Sequence, residues 1–386
     1  MVTTAPVAAA GAATPSPTPA TPARPRTRAA GSGRERRRLH SLDGLRFAAA
    51  VGVMLYHFTA MWSESWDRSP GEIFPTLGGA MIYLTLAPEL FFVVSGFVIL
   101  WTAWGRDVAG FAASRLARLY PPYWAALALT SVLLLVLWPA GKDLTWGEAL
   151  VNTTLLQEPL GVRHVDGVYW TLWAELRFYA LVAVLVAVGL STRRVIAFAA
   201  LWPPLALLVE RLGWEVPTML LMPRYAPYFA GGMLLFLVFR DGHRPWLWAL
   251  VGGNVMLALH TTVEPTVSTI AQVTVFEADP RLVTLAVLST FGGVALLTMS
   301  PLARLSWGVL PGLGAITYGV YLVHQFWGLW VIDLLHDHLP PYLTLAAAVA
   351  VSIGLALVIH HGVEKRLHGP VRDVLERALR PGPGRA

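Results

Sequence analysis

Ionisable side chains inside long apolar runs are the first places to look for chemistry, because each costs a few kcal/mol to hold in a membrane. Arg46 and His57 share the first run, in Leu42-Asp43-Gly44-Leu45-Arg46 and the eleven residues that follow. Eleven residues of helix advance about 16 Å and return to nearly the same face, so the two side chains form one stripe. Glu175 lies in the aromatic-rich segment Tyr169 to Tyr179, with Tyr179 one turn beyond it on the same face. Counted from the start of its run, Glu175 is roughly 10 Å deep, the level expected for His57. His324, at the end of Tyr318-Gly319-Val320-Tyr321-Leu322-Val323-His324, reaches the same layer. A histidine and a carboxylate at equal depth make a base and its orienting or charge-stabilising partner, the minimum for deprotonating a hydroxyl.

Arg115 and Arg118, three apart beside Pro121 and Pro122, share a helix face and suit a polyanion such as phosphate. Blander roles accompany each of these residues. Arg46 can be an interfacial snorkeller, His57 and His324 hydrogen-bonded packing residues, and Arg115 and Arg118 ordinary cytoplasmic-side cations.

The elements that position these residues follow from composition. Of 386 residues, 55% are hydrophobic and only 13% charged, about half the charged share of a soluble domain. The apolar residues come in long blocks without two-residue alternation, which excludes a transmembrane barrel and leaves a helical bundle. Ten spans are expected, at about 44–62, 80–103, 120–138, 168–190, 194–210, 223–240, 245–261, 282–299, 313–334 and 341–361. The fold expected is therefore all-α, a polytopic membrane bundle with both termini cytoplasmic. Arginines support that register: Arg106, Arg115, Arg193, Arg240 and Arg304 fall on one side, and few cations fall on the other.

Residues 1–38, rich in Ala, Pro and Thr and then Arg, are expected to be a disordered basic cytoplasmic arm. Residues 39–365 form the membrane domain, and 366–386 a basic cytoplasmic tail. The first span is expected to remain uncleaved. The net charge of +6 follows membrane topology, so no nucleic-acid partner is expected. The absence of cysteine excludes disulfides, thiolate metal ligands and thiol-based covalent catalysis, and no dedicated metal cluster is present in the sequence.

The ordered set of segments resembles the acyltransferase 3 family, integral membrane enzymes that move acyl groups from acyl-CoA to hydroxyls of sugars, peptidoglycan or macrolides. The resemblance spans most of residues 39–365. It rests on Leu42 to Arg46 with His57, on Glu89-Leu90-Phe91-Phe92-Val93-Val94-Ser95-Gly96-Phe97, and on the Arg115 and Arg118 pair. The segment from Trp170 to Tyr179 and the Tyr321 and His324 ending complete it. The chain looks most like actinobacterial members. It departs from the family where Glu175 is followed by Leu176 and Arg177 instead of a second acid and Gln, and where Glu364-Lys365-Arg366 replaces Glu-Arg-Pro.

The resemblance implies a multi-pass plasma-membrane O-acyltransferase with no bound cofactor and acyl-CoA, most simply acetyl-CoA, as co-substrate. Its partners would be the bilayer and a sugar, glycolipid or macrolide acceptor. His57 would be the general base and Glu175 its orienting or charge-stabilising partner. Arg46, Arg115 and Arg118 would hold the donor phosphates, and Trp170, Tyr179 and His324 would line the substrate site. Direct transfer is expected, with a transient acyl-histidine as the alternative. The competing class is a proton-coupled transporter or flippase, in which His57, Glu175 and His324 form a proton relay.

Overall fold

The computed structural model describes residues 1–5, 39–304 and 307–380. The chain divides into two units, Met1–Arg38 and Leu39–Ala386. In the first unit residues 1–5 carry no regular secondary structure, and the rest of the basic arm lies outside the described residues.

The second unit is helical, and among the described residues the single β-type pairing is an isolated bridge between Met61 and Thr274. Its long helices, in chain order, are α1 His40–Thr59, α2 Ala87–Ala103, α3 Val108–Val132, α4 Trp170–Ala187 and α5 Thr192–Arg211. They continue as α6 Ala226–Asp241, α7 Pro245–Val273, α8 Pro280–Met299, α9 Leu310–Leu335 and α10 Pro341–Ile359. A last helix, α11 Lys365–Leu379, follows α10 through a π turn at His360–Glu364. Among the described residues seven segments, built on α2, α3, α4, α5, α7, α8 and α10, are long and apolar enough to cross a membrane. Of the other three long helices that overlap expected spans, α1 carries Asp43, Arg46 and His57. The second, α6, has only 16 residues, and α9 is diluted by tyrosines, His324 and Gln325.

The helix of the third expected span starts earlier than expected, whereas that of the fifth keeps the expected bounds within about two residues. Pro121 and Pro122 lie inside α3, and Pro203 and Pro204 inside α5. Proline removes a backbone donor but need not end a helix whose neighbours hold it. As a result α3 begins at Val108, capped by Asp107, whose carboxylate accepts from the Gly110 amide at 2.9 Å. Arg115 and Arg118 therefore project from regular helix, and the segment expected as a tail is helical through Leu379.

Large apolar side chains point outward on several helices: Val184, Leu201, Met256, Leu285 and Val358 are all exposed. Such outward apolar faces match lipid as solvent. Some hydroxyls are satisfied within their own helices, as when Thr102, Thr298 and Ser352 donate to the carbonyls of Val98, Val294 and Ala348.

Packing inside relies on close backbone approach. A Cβ added at Gly96 would lie 2.1 Å from the Phe229 carbonyl oxygen, and one at Gly232 would lie 2.1 Å from that of Val93. These two glycines let α2 and α6 cross nearly backbone to backbone. Around that crossing Phe92 and Phe178 pack on Phe229 with ring centres 4.6 and 4.2 Å away, tying α2, α4 and α6 together. The ring of Phe58 fills the groove over Gly328 and locks α1 against α9.

Candidate active site

Helices α1, α2, α4 and α9 line a small, partly open pocket of about 60 Å³. Its polar lining is Arg46 from α1, Ser95 from α2, Thr171 and Glu175 from α4, and Thr317, Tyr318 and Tyr321 from α9. Phe91, Phe92 and Leu172 supply an apolar wall. A concave, mainly apolar space with a few converging polar groups is the usual form of a small-molecule site.

Glu175 is the anchored member. Its Oε1 accepts hydrogen bonds from Ser95 Oγ at 3.2 Å and from the Tyr179 hydroxyl at 2.5 Å. Residues four apart on a helix face one another, so Tyr179 reaches Glu175 from the next turn. One turn earlier, the hydroxyls of Thr171 and Tyr321 are 2.9 Å apart and both lie near the Val168 carbonyl, at 3.0 and 3.2 Å. This ties α4 to α9. Arg177 turns away from Glu175: it bonds the carbonyls of Trp173 and Met219, stacks over the Trp173 ring and pairs at 4.0 Å with Glu158.

Two guanidinium groups, those of Arg46 and Arg115, lie within electrostatic range of this carboxylate, and Arg118 lies within range of both and of Tyr179. Arg46 interacts electrostatically with Arg118, Glu175, Asp43 and Tyr179, and Arg115 with Tyr179, Arg118, Glu175 and Arg106. Arg115 Nε is buried without a hydrogen-bond partner, and its Nη2 donates to Ser114 Oγ at 3.3 Å. The Tyr318 hydroxyl donates to the Leu119 carbonyl at 3.0 Å, which holds α3 against α9 beside Arg118. Clustered guanidiniums with an unpaired donor suit an anion with several oxygens, such as a phosphate.

His57, partly buried, and His324, fully buried, form a second group. His57 and His324 face each other across α1 and α9, with ring centres 5.2 Å apart. Tyr56 packs edge-on against His57 at 5.2 Å, and Phe58 and Tyr321 flank His324 at 6.4 and 5.9 Å. Among the described residues the hydrogen-bond partners of Glu175 are Ser95 and Tyr179, and His57 is not one of them. The equal depth expected for Glu175 and His57 therefore does not become a contact. Depth counted from the edge of an apolar run ignores tilt and rotation, which helix packing sets.

Trp170 stacks on Tyr225 at 5.0 Å and touches Phe92 at 5.9 Å, so it backs the cavity wall. Ser95, Thr171 and Thr317 entered the site from the structure. A hydroxyl one residue from a glycine in the otherwise apolar run of α2 was the sequence signal available for Ser95.

Comparison with known proteins places this geometry in context. The family model for acyltransferase 3, described as an acyltransferase domain, matches residues 39–361. The chain is 29% identical over 155 residues to Acyltransferase MdmB of Streptomyces mycarofaciens. That alignment covers 37% of this chain and 38% of the relative, so the chain spans well under half of that protein's length. No solved structure matches the chain.

Proposed function

The chain belongs to the acyltransferase 3 family, and on that premise we propose that it moves an acetyl or other acyl group from acyl-CoA to a hydroxyl of a sugar, glycolipid or macrolide-type acceptor. The observation that supports this reading is the mutual electrostatic range of Arg46, Arg115 and Arg118 beside a pocket lined by Arg46 and Glu175. In this reading the protein lies in the plasma membrane with ten spans and both termini in the cytoplasm. The donor enters from that side, and its phosphates rest on Arg115, Arg118 and Arg46.

The pantetheine arm runs along α1 toward His57, about 16 Å from Arg46 by helix rise. There the acceptor hydroxyl attacks the thioester carbon. His57 takes the hydroxyl proton as the carbon–oxygen bond forms, the carbon–sulfur bond breaks, and the CoA thiolate leaves and recovers the proton. Glu175 acts from the arginine end. It orders Tyr179 and Ser95. Trp170 and Tyr179 support the cavity, and His324 lines the reacting layer.

The test uses membranes containing the parent or His57→Ala protein, incubated with radiolabelled acetyl-CoA and a crude cell extract. Label should enter organic-soluble or polymeric material with the parent alone, and His57→Ala should accumulate to a similar level without transferring. The absence of transfer by well-folded parent with several acyl-CoAs would refute the reading.

A further inference from the structure

We infer that His324 is a positioning residue for His57, fixing its tautomer through a hydrogen bond between His57 Nδ1–H and the His324 Nε2 lone pair. The inference rests on the general-base role proposed for His57 and gives that residue a partner other than Glu175.

The argument starts from the hydrogen-bond inventory of an imidazole. His324 is fully buried, and its Nδ1 lies 2.9 Å from the Tyr321 carbonyl oxygen and 3.2 Å from that of Val320. Carbonyls only accept, so Nδ1 must carry the proton in the neutral ring and Nε2 must present a lone pair. That Nε2 is buried without a partner. On the facing ring, His57 Nδ1 is also buried without a partner. A buried, unpaired polar atom is costly, and two of them on adjacent rings can satisfy each other if one donates. A ring-to-ring N–H···N bond of about 2.9 Å puts imidazole centres roughly 5 Å apart. The observed separation is 5.2 Å, with the planes inclined at 52°. As placed the two nitrogens are not bonded, so the proposed bond requires a turn of the His57 ring about its side-chain axis. His324 stays fixed by its carbonyl bonds and by the flanking rings of Phe58 and Tyr321.

The consequence is chemical. With its Nδ1 proton donated to His324, neutral His57 keeps its free lone pair on Nε2, the nitrogen that would take the acceptor proton. The imidazolium formed in that step retains the Nδ1–H···Nε2 bond, so His324 stabilises it by a charge-assisted hydrogen bond. His324 thus does for His57 what a carboxylate does in a serine-hydrolase triad, but without introducing a second charge.

Two substitutions at one position test this. In His324→Asn the side-chain amide N–H still reaches the carbonyls that Nδ1 served, but no acceptor remains at the Nε2 position. In His324→Gln the amide oxygen takes the place of Nε2. Purified, monodisperse full-length variants are assayed with acetyl-CoA and the extract fraction that accepts label from the parent. His324→Asn should lower kcat about 100-fold or more while apparent KM for acetyl-CoA changes less than about twofold, and His324→Gln should stay within about tenfold of the parent. A purely structural role for the Nδ1 bond predicts the reverse order, with His324→Asn active and His324→Gln impaired, and that result overturns the inference. His57→Ala is measured alongside. Parent transfer lost in His57→Ala but retained in His324→Asn removes the inference alone, whereas transfer that survives His57→Ala removes the general-base reading and this inference with it.

Discussion

Gly96→Ala is the sharpest probe of how packing sets the site. The new methyl would fall 2.1 Å from the Phe229 carbonyl oxygen and 3.1 Å from Gly232 Cα, both backbone atoms that no rotamer change can move. Carbon–oxygen contacts become acceptable near about 3.3 Å, so α2 and α6 must separate by about 1.2 Å. Overpacking of this kind typically costs about 1–3 kcal/mol. Ser95 is the adjacent residue, and its 3.2 Å bond to Glu175 has little room before it ceases to be a hydrogen bond. A displacement of about 1 Å in a reacting constellation can cost on the order of 100-fold in rate. The assay pairs the thermal unfolding midpoint in detergent with acetyl transfer. Gly354→Ala, where an added Cβ meets nothing within 4 Å, serves as control and should leave the rate unchanged and the midpoint equal or higher. If Gly96→Ala matched the control in midpoint and rate, the close crossing of α2 and α6 would not be what positions Ser95.

Two further outcomes are expected. Arg115→Ala removes one of three guanidiniums and should raise the apparent KM for acetyl-CoA with little change in kcat. A charged hydrogen bond is worth about 1.5–3 kcal/mol, roughly a tenfold to hundredfold loss of affinity, and a change confined to kcat would refute the donor-phosphate role. In the α3–α4 connection, Arg163 and the Thr145 amide hold the Glu148 carboxyl down to about 2, against an ordinary value of 4.5. Its stabilising effect is complete above pH 4.5 and disappears as pH falls toward 2. The unfolding midpoints of the parent and Glu148→Gln should therefore differ at pH 6, draw closer by pH 3 and converge near pH 2, and a gap independent of pH would refute the assignment.

The sequence by itself determined the solvent, the all-helical class and the family. Those depend on how many apolar residues occur in a row and on the order of short motifs, both properties of the chain read in one dimension. It also singled out Arg46, His57, Glu175 and His324, because an ionisable group within an apolar run is conspicuous whatever the packing. Helix starts were less legible: Pro121 and Pro122 signalled a boundary, yet α3 runs through them because a helix in a bundle is held by its neighbours. Only the tertiary structure decided which of these residues meet. It placed Glu175 with Ser95, Tyr179 and the arginines, and His57 with His324. Those pairings are set by the rotation and tilt of each helix, which depend on contacts as local as Gly96 against Phe229 and Phe58 against Gly328. Such contacts join residues far apart in the chain, and no periodicity within one segment encodes them.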